Sequence, residues 1–209
     1  MTRREEEGTE ELTIRQRIAL YHGTKMQVGE ACTLSNAAIN YDSMYNMRCN
    51  PEAILAAGIT PLFLAKRGVD TASRRRSLGF DAIHFRNEVF CRQAIAQIPV
   101  NELRSQFIQT AGDAVSIADT PAQRLLSMQT ADLLRLCVGQ PVEAEHILHA
   151  IAMRTGAETL LDGVSADDVI NTCIGAQALR RCGLTMPHLV RATSLTSNQL
   201  AMMGFDISL

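Results

Sequence analysis

Tryptophan is absent from this chain of 209 residues, and Phe, Tyr and Trp together make up only 4% of it. A core with so few rings has to be filled by Leu, Ile, Val, Ala and Met. Those residues suit helices better than a sandwich of strands. No apolar run reaches the length needed to span a membrane as a helix, so no membrane span is expected. The opening stretch, MTRREEEGTEEL, lacks the apolar segment of a signal peptide. Charge dominates it, and residues 1–12 read as a solvated, flexible tail. Formal net charge is -2, so no global field draws in nucleic acid or an anionic membrane. The six cysteines, Cys32, Cys49, Cys91, Cys137, Cys173 and Cys182, include no Cys-x-x-Cys pair. With 46% hydrophobic residues the chain can bury its own core, so reduced thiols in a cytosol-like compartment are expected.

The phrases that announce chemistry are also missing. There is no Gly-rich phosphate cradle and no Gly-x-Ser-x-Gly elbow. Histidines stand apart at positions 22, 84, 146, 149 and 188. The nearest approach to a metal site is EAEHILH, where Glu143, His146 and His149 would share one helix face. A di-iron bundle needs two Glu-x-x-His pairs plus two further glutamates, and this chain has one such pair. Zinc would need a further ligand from the fold, such as Cys137 or Cys173. The expectation is an exposed polar helix face, with no enzyme activity and no cofactor.

What the chain does have is punctuation. In NPEAILAAGITPLFLAKRGVD a small polar residue, a proline, apolar residues and a glycine recur every ten residues. Starts are expected at Asp42, Asn50, Thr60, Asp70 and Asp81, then at Thr120, Thr130, Pro141, Ser165, Thr185 and Thr196, with room for one more unit in GAQALRRCG. Each opening oxygen can take an unpaired N–H of the first turn. Pro51, Pro61 and Pro121 fit the first helical position. Thr13/Gln16, Thr120/Gln123, Ser165/Asp168 and Thr196/Gln199 have capping-box spacing. Gly58, Gly68, Gly79, Gly139, Gly183 and Gly204 sit where helices would close. Four residues after the cap the chain is usually apolar, as at Ile54, Leu64, Val169, Leu189 and Leu200; Arg74 and Arg124 break that rule. Helices this short are marginal alone and must be stabilised by neighbours. The fold expected is all-α: an array of many short capped helices, an irregular α-solenoid-like repeat. Longer helices are expected in 13–29 and 88–98. Residues 99–119 read as one helix and a linker. A boundary near Gly112 then divides an N-terminal sub-array, 13–111, from a C-terminal one, 112–209.

The phrases LTSNQLAMMGF and NPEAILAAGI resemble short helical repeats of ten or eleven residues found in proteins of large DNA viruses and some protists. The resemblance covers about two thirds of the chain. It departs from regularity at Thr193, where glycine would stand, and at Arg74. It implies a structural or interaction role in a larger assembly, such as a virion minor capsid or cementing component, made in the cytoplasm or within an intracellularly assembled particle.

Two surfaces are candidates for partner contact. Lys66, Arg67, Arg74, Arg75 and Arg76 form a basic cluster that could face an acidic protein or, as the alternative function, nucleic acid. At the C-terminus Met202, Met203, Phe205, Ile207 and Leu209 would leave an apolar edge with no following unit to cover it.

Overall fold

The computed structural model describes residues 39–46, 50–56, 58–157 and 159–207. The expected tail, the helix at 13–29 with its Thr13/Gln16 pair, His22, Cys32, Cys49 and Leu209 lie outside the described residues. Within them the chain is all-α, with fourteen α-helices, two 3-10 helices and no strand. No helix among the described residues is long and apolar enough to cross a membrane.

Two compact units are present, one running to Phe80 with Ala96–Ile98, the other comprising Asp81–Ile95 and Pro99–Leu209. The first holds α1 (Tyr41–Asn46), α2 (Pro51–Ala56), α3 (Pro61–Lys66) and α4 (Ala72–Ser77). The second opens on a 3-10 helix, Ala82–Arg86, then α5 (Glu88–Ile95), α6 (Val100–Phe107), α7 (Ala111–Ala118), α8 (Pro121–Leu125) and α9 (Thr130–Leu134). A second 3-10 helix (Arg135–Cys137) leads to α10 (Pro141–Thr155), α11 (Ala166–Ile170), α12 (Ala176–Arg181), α13 (Met186–Thr193) and α14 (Ser197–Met202). Only α10, with 15 residues, exceeds eight.

Several of the short helices are closed chemically at both ends. Thr60 Oγ1 accepts the Phe63 N–H at 3.1 Å, and Pro61 fills the first helical position. At the far end the Gly68 N–H donates to Ala65 O and the Val69 N–H reaches back to Leu64 O at 2.8 Å. The same five-residue return recurs from Ile59 to Ile54, Phe80 to Arg75, Leu184 to Leu179 and Phe205 to Leu200. This is the Schellman closure, which needs a left-handed residue between the two. Gly58 takes that role at φ +73, and a Cβ there would meet nothing within 4 Å. Its requirement is therefore conformational rather than steric. All six glycines expected to close units have positive φ.

Closure fixes which side chains go inside. The residue four after the cap and the residue after the left-handed one are both buried: Ile54 with Ile59, Leu64 with Val69, Leu179 with Leu184, Leu200 with Phe205. Full burial of such a side chain contributes roughly 1.5–3 kcal/mol, and two per ten residues is the unit's share of core.

Several expected boundaries move. The cap before α1 is Asn40, not Asp42; Asn40 and Ser43 exchange side-chain and backbone bonds of 2.9 Å each. The cap of α4 is Thr71, not Asp70, because the Thr71 Oγ1 receives the Arg74 N–H while Asp70 pairs with the Arg74 guanidinium. Gln129 precedes α9, its N–H donating to Asp132 Oδ2, and Thr130 is the buried first helical residue. The Thr120/Gln123 box does not form: Thr120 Oγ1 donates to Ile117 O, and the buried Gln123 amide donates to Met128 O. The linker and boundary expected near Gly112 are replaced by α7, capped by a reciprocal Thr110–Asp113 pair. Its buried face is mostly alanine (Ala111, Ala114 and Ala118 beside Ile117), a faint signal in a hydropathy pattern. The extra unit in GAQALRRCG is α12.

Within the second unit, elements pack on partners two or three helices further along: Ala82–Arg86 on α7, α5 on α8, α7 on α10, α9 on α11, α10 on α12. Ion pairs follow the same step. Arg86 meets Asp119 at 3.3 Å, Arg104 meets Asp132 at 3.1 Å, Arg135 meets Asp168 at 2.8 Å and Arg181 meets Glu145 at 2.6 Å.

Two predictions follow from this architecture. Gly58→Ala should destabilise by about 1–2 kcal/mol, since only backbone strain changes. The left-handed position that ends α13 falls at Ser194, φ 60, and not at Thr193, where glycine is expected and which is the buried last residue of the helix; Ser194→Gly should conversely gain about 0.5–1 kcal/mol. Urea denaturation of both variants checks the signs; a loss at Ser194→Gly would mean that its hydroxyl matters more than its backbone. The second concerns Asp168. Burial alone would raise its carboxyl pKa, but bonds from Arg135 and Ser165 outweigh this and hold it below the ordinary 3.8. A depressed folded-state pKa adds stability that is present above the unfolded value and lost as pH falls through the folded one. Asp168→Asn should therefore cost about 2 kcal/mol at pH 7. The gap to the wild type should narrow as the pH falls below about 4. A gap independent of pH would show that charge is not what Asp168 supplies.

Candidate functional site

The basic cluster of the first unit does not present five cations. Arg75 is fully buried, its Nε donating to Val69 O at 3.4 Å and an Nη to Pro61 O at 3.5 Å. With Thr71 as the cap, Arg75 occupies the phase that Ile54 and Leu64 fill in the preceding units. It is a core residue and is withdrawn from the partner surface. Arg74 is exposed but engaged, bonded to Gly68 O and Asp70 and lying 5.2 Å from the centre of the Tyr41 ring. Arg67 sits over the Phe63 ring. Lys66 and Arg76 are exposed.

The C-terminal edge is also only partly free. Phe205 is 6% exposed, under the Arg180 guanidinium and fixed by its bond to Leu200 O. The Ala176 N–H donates to Met203 O at 2.8 Å, so the turn after α14 folds onto the start of α12. Phe205 therefore belongs to the core of its own chain. Met202 remains 79% exposed, Ile207 is at the surface and Met203 is half-buried.

Glu143, His146 and His149 lie on α10, with both histidines exposed and Glu143 half-buried. No group of three or more His, Cys, Asp or Glu side chains among the described residues is arranged to hold a metal ion. Cys91, Cys137, Cys173 and Cys182 are free thiols. Burial pushes Cys91, Cys137 and Cys182 up to about 11, so these three are poor nucleophiles at neutral pH.

Two concavities mark the second unit. One, of about 400 Å³, has Ile108, Met128 and Leu136 among its lining residues and Arg104, Asp132 and Arg135 among its charged ones. The other, of about 340 Å³, is lined by Glu88, Arg92, Asp119, Pro121, Arg124, Leu125 and Arg154. Its geometry is set by Arg154, which reaches from α10 to the junction of α7 and α8. One Nη donates to Thr120 O at 3.2 Å; the other donates to Ala118 O at 2.6 Å and to the Gln123 side-chain oxygen. Arg154 Nε is buried and has no hydrogen-bond partner among the described residues. Burial, and then repulsion from Arg124, push the Arg154 guanidinium below its ordinary range, with Asp119 opposing. Glu88 is held by Arg92 at 2.7 Å and Asp119 by Arg86. Arg124 is exposed and forms no ion pair with the described residues. Sequence reasoning did not assemble these residues, although Arg124 carried a signal by breaking the apolar rule four places after its cap.

Burial separates two arginines adjacent in sequence. Arg75→Gln should destabilise by about 2–3 kcal/mol, having lost both the packing of the long stem and its two carbonyl contacts. Arg76→Gln should stay within about 0.5 kcal/mol of the wild type. Equal melting temperatures for the two variants would place Arg75 outside the core. No family model, curated protein or solved structure matches the chain.

Proposed function

We propose that this chain is a non-catalytic helical-repeat interaction protein, a subunit of a larger assembly. The observation that carries the reading is the packing of short helices of the second unit on partners two or three helices further along, beside the recurrence of the same buried positions from one short helix to another. Architectures of that kind are quasi-one-dimensional: neighbouring elements cover each other's apolar stripes, and caps, turns and loops make up the surface a partner reads. The likeness of LTSNQLAMMGF and NPEAILAAGI to viral and protist repeats supports a virion minor capsid or cementing role as the particular assembly. Lys66, Arg74 and Arg76, with Met202 and Ile207, are the exposed members of the two expected contact surfaces, Arg74 being paired with Asp70. The nucleic-acid alternative draws on the same basic surface, reduced by the burial of Arg75 and the Asp70 pairing of Arg74.

Affinity capture of the tagged chain from its native cell, followed by cross-linking mass spectrometry, tests the reading. The expected result is a stoichiometric protein partner with cross-links to defined units. A chain recovered alone, or retained on heparin with a steep loss on raising salt, would overturn it in favour of the nucleic-acid alternative or of a solitary protein.

A further inference from the structure

We infer that the groove between α5, α8 and α10 is a carboxylate-binding site, formed by Arg92, Arg124 and Arg154, that receives an acidic side chain of a partner polypeptide. Only the identity of the carboxylate's bearer rests on the interaction-protein reading. Four observations converge on the site.

The three arginines come from three different helices and line one concavity of about 340 Å³. Their positions, 92, 124 and 154, are separated by 32 and 30 residues. That is the step at which α5 packs on α8 and at which Arg154 fastens the turn before α8, so the fold brings all three to one groove. Arg154 is already positioned: its two Nη groups are consumed by main-chain and amide oxygens, which aligns the guanidinium without neutralising it. Its Nε is buried out of reach of the groove and has no partner among the described residues, so what Arg154 offers a ligand is its charge; Arg124 repels that charge and Asp119 partly offsets the repulsion. A partly desolvated cation held by neutral acceptors and facing a second cation is the electrostatic condition an oxyanion relieves.

The groove keeps a positive charge: three guanidinium groups line it with two carboxylates, Glu88 and Asp119, and Asp119 is also held by Arg86 from outside. An oxyanion lowers that charge. Leu125 and Pro121 supply an apolar wall against which the methylenes of a glutamate can lie.

The test is a titration of the folded, full-length, ¹⁵N-labelled protein with N-acetyl-glutamate N-methylamide, following the Nε–Hε signals of Arg124 and Arg154. The expected result is a saturable shift with Kd on the order of 1 mM, as befits one isolated ion pair. Arg124→Gln should weaken it about tenfold or more. Arg191→Gln, which removes an exposed arginine on α13, should leave it unchanged. Arg92→Gln provides a second lesion of the site should Arg124→Gln perturb the fold. A shift that fails to saturate, that survives both lesions, or that inorganic phosphate elicits at lower concentration than the glutamate probe overturns the carboxylate site. Affinity capture with Arg124→Gln then separates the two claims. Loss of the partner supports the acidic bearer. Full retention of the partner beside loss of probe binding overturns the bearer and leaves the interaction-protein reading standing.

Discussion

A helix of six residues is almost all ends. Its first four N–H groups and last four C=O groups have no partner within the helix, so in a segment as short as Pro61–Lys66 nearly every backbone polar group depends on something outside the regular ladder. Closing those ends is the constraint on which the rest of this structure depends. Thr60 closes one end through its hydroxyl, and the return from Val69 to Leu64 closes the other. The return turns the chain sharply, and the turn carries the next residue inward. The residue whose carbonyl accepts the return and the residue whose N–H makes it are therefore both core residues. In this chain, backbone satisfaction and core formation are produced by one local geometry.

The same economy extends between units. Asp132 receives the Gln129 N–H at the start of α9 and also accepts from Arg104 on α6. Asp168 receives the Ser165 N–H at the start of α11 and accepts twice from Arg135. A carboxylate of this kind fixes a helix start and its docking together, which couples local order to tertiary order. Exposed ion pairs contribute little by themselves. Asp168 is different because it is 7% exposed and its remaining lone pairs are occupied by the cap.

The punctuation was legible because caps and left-handed residues act over three to five residues. Ser165/Asp168, Thr196/Gln199 and the closing glycines needed no tertiary information. Errors arose where two oxygens competed. Asp70 and Thr71 are both good caps, and the choice falls to Thr71 because Arg74 draws Asp70 away. Thr120 and Gln123 have the spacing of a box, but both side chains are buried and the oxygen of Gln123 takes a bond from Arg154 on another helix. That bond cannot be read from a ten-residue window. Helix α7 was missed for a different reason: alanines bury well where helices approach closely, yet carry little hydropathy contrast. Arg75 and Phe205 were misplaced because composition assigns a guanidinium to the surface and a chain end to solvent, while the phase of the unit assigns both to the core.

That phase also explains why no motif search would reveal the arginine groove. Chemistry written into a strand–turn–helix phrase lies within a few residues, because the phrase itself folds the groups together. An array of short helices brings together residues about thirty apart instead. Gln123 meets Arg154, Arg135 meets Asp168, Glu145 meets Arg181, and the backbone N–H of Gly139 meets Asn171 O. A groove in such a fold combines side chains from one helix with others about thirty residues away. Arg92, Arg124 and Arg154 fit that pattern, as do Glu88 and Asp119 on the same groove, 31 residues apart. The relevant period in this sequence is therefore twofold: about ten residues for making helices and about thirty for placing side chains beside one another. Arg124 stands at a position where other units carry an apolar residue, so its charge has to be answered across the larger period rather than within its own unit.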